Sequence, residues 1–300
     1  MRILVLGSTG YLGAHVAERL RALPGAQVLG GGRSPAADLD VDLARVRPEQ
    51  LAKALASAAP DTVVNCAGAT GGDAVTLAEV NARGPAVLCA AQREAAPAAR
   101  LVHLGSAAEY GPGTTDTPVT ESAATRPVGP YGATKLAGTV AVTASGLDAV
   151  VLRVGNPVGP GAPPTGLPGR IAALLCEAGR DPAAVLRLGD LSAHRDFVDV
   201  RDVARAVVLA ATAPGPLPPV LNVGGGRAVP VRDLVRSLAG LAGFRGRIEE
   251  GGASPAGSAR SAQVSWQCSD LSAAEEALGW RPVHSLDEAL AALWEGGRTP

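Results

Sequence analysis

The stretch Gly7-Ser8-Thr9-Gly10-Tyr11-Leu12-Gly13 decides how this chain folds. The aliphatic run Ile3-Leu4-Val5-Leu6 precedes it and is typical of a strand buried on both faces. Apolar residues at helical spacing follow it: Ala14, Val16, Ala17 and Leu20. A strand, a glycine turn and a helix in this order predict a dinucleotide site with the phosphates at the positive end of the helix.

The three glycines of this stretch have separate expected roles. Gly7 permits a tight turn, Gly10 lets the backbone approach a pyrophosphate, and Gly13 lets the helix pack close to the strand. The other residues of the stretch from which we expect cofactor contacts are Thr9, Tyr11 and Leu12. The alternative is a glycine turn that only joins the strand to the helix.

Composition excludes several classes of function. Charged residues are 18% of the 300-residue chain and its formal net charge is -1, so no basic excess indicates nucleic acid or an anionic membrane as a partner. The cysteines have no metal-ligand spacing, and we expect free thiols and no metal: Cys66, Cys89, Cys176 and Cys268. No apolar run is long enough to span a bilayer, and the first strand begins too early to leave room for a signal peptide. We therefore predict a cytoplasmic protein that acts on a small-molecule substrate.

The second predicted strand, Gln27-Val28-Leu29-Gly30, bears on the choice of cofactor. An NAD site places a carboxylate after this strand for the ribose 2′-hydroxyl, but here the chain continues Gly31-Gly32-Arg33-Ser34. Arg33 can bind a 2′-phosphate, although a solvated surface arginine is the alternative. We predict that NADPH is preferred and that NAD is the alternative, with Asp42 and Leu43 close to the adenine.

Strand and helix signals alternate along the first half of the chain. This alternation predicts an α/β fold of the Rossmann type, a doubly wound parallel sheet. After the strand that ends near residue 65, small residues let the backbone approach the cofactor: Cys66, Ala67 and Gly68. We assign residues 1–154 to the dinucleotide-binding domain, to which 195–213 return. Residues 155–194 and 214–300 are assigned to a second, smaller substrate-binding domain.

Tyr131 and Lys135 are the strongest candidates for catalysis. They are four residues apart, so on a helix they share a face. A free tyrosine has a pKa of about 10, and an adjacent ammonium lowers it, so that the phenol can pass a proton to or from a substrate oxygen. Ser106 follows the predicted strand Leu101–Leu104, at the edge of the sheet where ligands bind. The alternative for the Tyr131/Lys135 pair alone is a solvated helix face.

In the order and spacing of these motifs the chain resembles the extended short-chain dehydrogenase/reductases, which include nucleotide-sugar epimerases, dehydratases and ketoreductases. The resemblance extends over nearly the whole chain, through segments at 153–160, 195–204, 222–226 and 278–282. It implies that Lys135 also hydrogen-bonds the nicotinamide ribose, that Ser106 polarises the substrate carbonyl and that Asn81 orders a water near the lysine. It further implies cofactor contacts from Pro157 and Val158. A homodimer formed through two helices of the first domain is compatible with it.

Departures from the family patterns favour some reactions over others. Similar dehydratases carry an Asp-Glu pair after the residue that matches Ser106, and this pair eliminates water. Here these positions are Ala107 and Ala108, so dehydration is not expected and the two alanines become candidate substrate contacts. Glu109 is out of register with that pair.

The second half of the chain gives mixed indications about the substrate. Asn156 and Arg195 match family residues beside the diphosphate of a sugar nucleotide, with an ion pair of Arg195 to Asp196 or Asp199 as the alternative. A second arginine clamp is replaced by Ser254-Pro255-Ala256-Gly257, unless Arg260 substitutes for it. This loss, and the scarcity of aromatic residues, count against a nucleotide sugar.

Three functions are compatible with these residues. The first is an NADPH-dependent ketoreductase that acts on a deoxysugar nucleotide or a natural-product ketone, with Tyr131 as acid and base. The second is a nucleotide-sugar 4-epimerase that uses the same residues with bound NAD. The third is a dinucleotide-sensing regulator, for which the Ser106/Tyr131/Lys135 set exceeds what sensing requires.

Overall fold

The computed structural model describes residues 1–251 and 264–297 of the protein. The strands of these residues are β1 (Arg2–Leu6), β2 (Gln27–Gly32), β3 (Leu39–Asp40), β4 (Thr62–Asn65), β5 (Arg100–Ser106), β6 (Ala149–Val154), β7 (Asn156–Val158), β8 (Val185–Leu188), β9 (His194–Asp199), β10 (Val220–Val223), β11 (Ala228–Pro230) and β12 (Arg247–Glu250). Their α-helices are α1 (Tyr11–Arg21), α2 (Pro48–Ala58), α3 (Ala74–Ala78), α4 (Gly84–Ala95), α5 (Pro130–Thr143), α6 (Leu167–Ala178), α7 (Val200–Thr212), α8 (Val231–Ala242), α9 (Ser272–Leu278) and α10 (Leu286–Gly296). Within the described residues, no helix combines the length and the apolar character needed to cross a membrane.

Seven strands form one sheet in the order β10-β6-β5-β4-β1-β2-β3, and all its neighbouring strands are parallel. This confirms the predicted Rossmann-type fold. From β1 the chain proceeds outward through β2 and β3, and then crosses to the other side of β1 to form β4. A crevice opens outside the carboxyl ends of parallel strands where the order reverses in this way, and ligands of doubly wound sheets bind there.

Helices cover both faces of the large sheet, as a sheet buried on both sides requires. Successive residues of β1 point to opposite faces: Ile3 and Val5 pack in one core with α1, α7 and α9, whereas Leu4 and Leu6 pack in the other with α2, α4 and α5. This two-sided burial explains why the first strand is a continuous aliphatic run without polar alternation.

A smaller core lies beside the large sheet. It is enclosed by the three-stranded sheet β11-β9-β7, the two-stranded sheet β12-β8 and the helices α6, α8 and α10. The apolar positions at helical spacing in α8 are all buried: Val231, Leu234, Val235 and Leu238. An amphipathic helix buries such a stripe against a core, and here that core also contains Phe197 of β9.

Two segments lie differently from the domain assignment made from the sequence. Residues 220–223, which we assigned to the smaller domain, form β10 at the edge of the large sheet, where Val220 pairs with Val151. Within 195–213, α7 packs on the large sheet, but β9 belongs to the small three-stranded sheet. Strand partners are chosen by long-range pairing of backbone groups, which a local apolar pattern does not specify.

Candidate active site

The glycine turn after β1 has the geometry that a pyrophosphate requires. Gly7 has a φ of +76°, which favours glycine. A Cβ added to Gly13 would lie 2.0 Å from the Gly7 carbonyl oxygen, so only glycine allows α1 to pack this close to the turn. Gly10 precedes α1, and the first turn of that helix contains no acidic residue. Backbone N–H groups and the positive helix end can therefore meet an anion here, and the turn fits a dinucleotide.

The loop after β4 contacts this turn across the point where the strand order reverses. The Cys66 N–H donates to the Leu6 carbonyl at 2.9 Å, and a Cβ on Gly7 would lie 2.7 Å from the Ala67 nitrogen. A Cβ on Gly68 would lie 3.5 Å from Asn81 Oδ1 and 3.9 Å from Lys135 Nζ. The structure thus brings the glycine turn, the small residues after β4 and two catalytic candidates to one crevice.

The end of β2 carries charges of both signs. A Cβ on Gly32 would meet nothing within 4 Å, and Arg33 beside it is exposed. Asp38, which the sequence analysis passed over, accepts a hydrogen bond from the Gly30 N–H at 2.7 Å. A Cβ on Gly30 would lie 2.5 Å from Ser8 Oγ and 3.6 Å from Asp38 Oδ2. Although no carboxylate follows β2 directly, Asp38 therefore supplies a negative charge at this end of the strand.

Several predicted cofactor contacts have side chains that are engaged in packing. Leu43 and Val158 are buried in the two cores away from α1, and Leu12 packs against the core beneath that helix. Tyr11 is partly buried, with its hydroxyl 3.5 Å from the Gly159 carbonyl oxygen. Three other predicted cofactor contacts are accessible to solvent: Thr9 is exposed, and Asp42 and Pro157 are partly exposed. Contacts from the buried residues would be made by their backbone.

Ser106 ends β5 at the carboxyl edge of the sheet and is 8% exposed. Its hydroxyl oxygen accepts the Ala108 N–H at 3.2 Å, in the short helical turn Ala107–Glu109. Because that oxygen is the acceptor, its own proton remains available to a substrate oxygen. Gln267 reaches the same turn and donates to the Ala107 carbonyl at 2.9 Å.

Tyr131 and Lys135 occupy the first two turns of α5, which begins at Pro130. Lys135 is buried and its Nζ donates to the Leu104 carbonyl, two residues before Ser106. Burial lowers the pKa of Lys135 to about 8. An ammonium has three donors, so its bond to Leu104 leaves donors for a ribose hydroxyl.

Asn81 lies in a π-helical turn, Glu79–Arg83, between α3 and α4. Its side chain accepts the Ala69 N–H at 2.9 Å and donates to the Ala69 carbonyl at 2.8 Å. The turn packs so closely against α5 that a Cβ on Gly138 would lie 2.2 Å from the Asn81 carbonyl oxygen. Asn81 thus fixes the loop after β4 against the helix that carries Lys135.

Asn156 and Arg195 lie on the neighbouring strands β7 and β9. Asn156 donates to the Asp196 carbonyl at 2.9 Å, and the Arg195 guanidinium donates to the His194 carbonyl at 2.8 Å. The carboxylates considered as ion-pair partners of Arg195 have other contacts. Asp196 accepts the N–H groups of Gly225, Gly226 and Ser269, while Asp199 pairs with Arg201 at 2.6 Å. The second clamp position, 254–257, and Arg260 lie outside the described residues.

Comparison with known proteins shows the family of this chain. Residues 3–224 match the model of the NAD dependent epimerase/dehydratase family. The chain belongs to this family. It is an NAD(P)-dependent oxidoreductase of the extended short-chain dehydrogenase/reductase type, as the sequence predicted.

Relatives in this family catalyse more than one reaction. A dTDP-6-deoxy-L-talose 4-dehydrogenase (NAD(P)(+)) of Kitasatospora kifunensis is 39% identical over 99% of this chain and 96% of its own. A UDP-glucose 4-epimerase of Azospirillum brasilense is 30% identical over 81% of this chain and 78% of its own. The solved structure of MoeE5 in complex with UDP-glucuronic acid and NAD has a TM-score of 0.84 and 29% identity, and covers 99% of each chain.

Sequence reasoning missed several residues at this site. They are Asp38, the buried ion pair Glu109–Arg153, and Gln267. Asp38 and Gln267 form hydrogen bonds with backbone groups that are 8 and 160 residues away, so no local motif indicates them. Glu109 carried a signal, since a carboxylate three residues after a serine can close a capping box, and the structure shows that box.

Proposed function

We propose that the protein is an NADPH-linked reductase of a dTDP-activated 4-keto-6-deoxyhexose, which in the reverse direction is a 4-dehydrogenase. The observation that carries this proposal is the full-length similarity to a dTDP-6-deoxysugar 4-dehydrogenase in a chain that has the Ser106, Tyr131 and Lys135 set. The sequence departures counted against a nucleotide sugar, but that relative spans 99% of this chain.

The residues support the chemistry of a carbonyl reduction. When bound, the nicotinamide supplies a hydride to the carbonyl carbon. The Ser106 hydroxyl donates a hydrogen bond to the carbonyl oxygen and stabilises the negative charge that develops there. Tyr131 donates its phenolic proton to that oxygen, and the Lys135 ammonium stabilises the phenolate that remains. Ala107 and Ala108 provide no acid or base for loss of water, which is why a reductase is favoured over a dehydratase.

Two residues on β7 and β9, Asn156 and Arg195, support the proposal that the substrate contains a diphosphate. Arg195 is mostly buried, and burial lowers its pKa, yet a guanidinium remains charged in proteins. A charged donor fixed in a strand beside Asn156 suits phosphate oxygens. We propose that these two residues bind the diphosphate.

The test combines turnover with a matched arginine variant. The purified protein is given NADPH and a 4-keto-6-deoxyhexose attached to dTDP, UDP or GDP, and nicotinamide absorbance and the sugar product are followed. We expect oxidation of NADPH with the dTDP sugar. Arg195→Ala should raise its KM about 10- to 100-fold through loss of a charged hydrogen bond, whereas Arg187→Ala, an exposed arginine of β8, should not.

A 4-epimerase is the second candidate, favoured by the epimerase relative and by the Asp38 carboxylate beside Ser8, which suits an NAD ribose. An epimerase would interconvert a UDP-hexose with no net consumption of NADPH, and that result would replace the first proposal. Binding of cofactor without turnover of any sugar would instead favour the sensing function.

A further inference from the structure

Glu109 is a buried carboxylate that the proposed chemistry leaves unused. It has no exposed surface, which is rare for a glutamate unless it is paired. Its Oε1 accepts the Ser106 N–H at 2.7 Å, and its Oε2 lies 2.8 Å from Arg153 Nε. A buried ion pair is therefore bonded directly to the backbone of a candidate catalytic residue.

Further contacts anchor the Arg153 end of this pair. The Arg153 guanidinium carbon lies 4.5 Å from the centre of the Tyr110 ring. The Tyr110 hydroxyl donates to Asn222 Oδ1 at 2.8 Å, and the Asn222 N–H donates to Glu121 Oε1 at 2.7 Å. These contacts hold the Glu109 carboxylate in place. Removal of either Glu109 or Arg153 would leave the other charge buried and unpaired.

Glu109 and Lys135 both bond to the backbone at the end of β5. A Cβ on Gly105 would lie 2.8 Å from Glu109 Oε1 and 3.3 Å from the hydroxyl of Thr139, which is one helical turn after Lys135 on α5. Lys135 donates to the Leu104 carbonyl, the residue before Gly105. The carboxylate and the ammonium therefore contact the same short segment of β5.

Among the described residues, Cys66 and His103 also interact with Lys135, and both are neutral near pH 7. Burial raises the pKa of the Cys66 thiol, on the β4 side, to about 12, and it lowers the pKa of His103 in β5 well below its ordinary value. Burial also lowers the pKa of Lys135, and the charge of Glu109 opposes that effect. Tyr131 lies one turn before Lys135 on α5.

We propose that Glu109 is a positioning residue: held by Arg153, it fixes the backbone of Ser106 and supplies the negative charge that keeps Lys135 an ammonium beside Tyr131. The proposal rests on the proposed oxidoreductase chemistry of these three residues. Because Glu109 has no exposed surface, its role is to act through Ser106 and Lys135.

The first variant is Glu109→Gln, which keeps the size and the acceptor for the Ser106 N–H and removes the charge. The pH dependence of NADPH-linked reduction is measured together with the ultraviolet titration of the tyrosines, in which Tyr131→Phe identifies the contribution of Tyr131. We expect the alkaline limb of the rate profile to move down by about one pH unit or more. Tyr131 should ionise at a higher pH, because a neutral Lys135 no longer stabilises its phenolate.

A double variant separates electrostatics from structure. Glu109→Gln alone leaves the buried Arg153 unpaired, whereas Glu109→Gln with Arg153→Met removes both charges and leaves none unpaired. We expect the double variant to fold and to keep the shifted limb. Recovery of the wild-type limb in the double variant would show a purely structural pair and overturn the proposal, as would failure of both variants to fold.

Glu121→Gln is the matched control, because Glu121 belongs to the same network but bonds to Asn222. It should leave the limb and the tyrosine titration unchanged, and an equal shift in this variant would contradict a specific role of Glu109. The tyrosine titration needs no substrate. It therefore decides the role of Glu109 even if the wild-type protein reduces no keto sugar, a result that would count only against the proposed function.

Discussion

The two ends of the proposed cofactor crevice are built in opposite ways. At the catalytic end, Ser106, Lys135 and Asn81 are 8%, 6% and 1% exposed, and each has a hydrogen bond to the backbone. At the adenosine end, Arg33 and Asp38 are exposed at the edge of the sheet. Charges interact strongly in a buried site, whereas water and salt screen exposed charges. We therefore expect the chemistry to depend on a packed interior and the choice of cofactor to depend on surface charges.

The largest effect is expected at Tyr131. Tyr131→Phe keeps the ring and removes the proton donor, so kcat should fall about 10²- to 10⁴-fold. NADPH affinity, measured by titration, should remain near that of the wild type because the helix that carries Lys135 is undisturbed. A variant that retained most of its rate would show that another group is the acid. It would contradict the placement of the chemistry at the buried end of the crevice.

Lys135→Met should lower both the rate and NADPH affinity, with a loss in rate of about 10²-fold. In the wild type, both quantities should fall as the pH rises through about 8, because the pKa of Lys135 is lowered to about 8 and the ammonium is lost above it. The variant should lack this dependence. Lys53→Met, at an exposed lysine of α2, is the control and should retain it; a wild-type profile that is flat across pH 8 would contradict the assignment.

A smaller effect is expected at Arg33. Arg33→Ala should weaken NADPH about 10-fold relative to NADH, since one charge-assisted hydrogen bond to the 2′-phosphate is lost. The effect should shrink as salt is added, because the site is exposed. Arg93→Ala, an exposed arginine in the last turn of α4, should leave the ratio unchanged. An unchanged NADPH/NADH ratio in Arg33→Ala would remove Arg33 from the cofactor site.

The smallest effect is expected at Asp38. Asp38→Asn removes a negative charge beside Ser8, so NADPH should bind a few-fold more tightly relative to NADH. Glu94→Gln, an exposed carboxylate at the C-terminal end of α4, serves as the control. The two cofactors are compared by titration at low salt. A shift toward NADH in Asp38→Asn would mean that this carboxylate does not face the ribose.

Local patterns predicted much of the crevice, and the reason is geometric. The turn at residues 7–13 needs glycine at a positive φ and at a close approach, so the residue types themselves reveal the backbone. Tyr131 and Lys135 were placed on one helix face by their spacing, and Ser106 at a strand end by the aliphatic run before it. Each of these inferences spans a few residues, over which secondary structure fixes the distances.

Contacts between segments that are distant in the sequence could not be predicted from local patterns. The sequence placed 220–223 in the smaller domain, because a short aliphatic strand does not carry the identity of its neighbour. It also could not foresee that the side chains of Leu43 and Val158, two predicted cofactor contacts, are buried in the cores, so that only their backbone is left for the predicted contact. Asp38 was missed because its partner is a backbone N–H, which has no signature in the sequence.

The sequence by itself determined the parallel α/β sheet, the glycine turn and the identities of the catalytic candidates. Periodicity and backbone sterics act over a few residues, and residue types therefore record them. Only the tertiary structure decided that Lys135 reaches Leu104, that Arg153 pairs with Glu109, and that Asn156 and Arg195 lie on neighbouring strands. Those contacts depend on chain crossings and on the burial of charge, which are properties of the packed molecule.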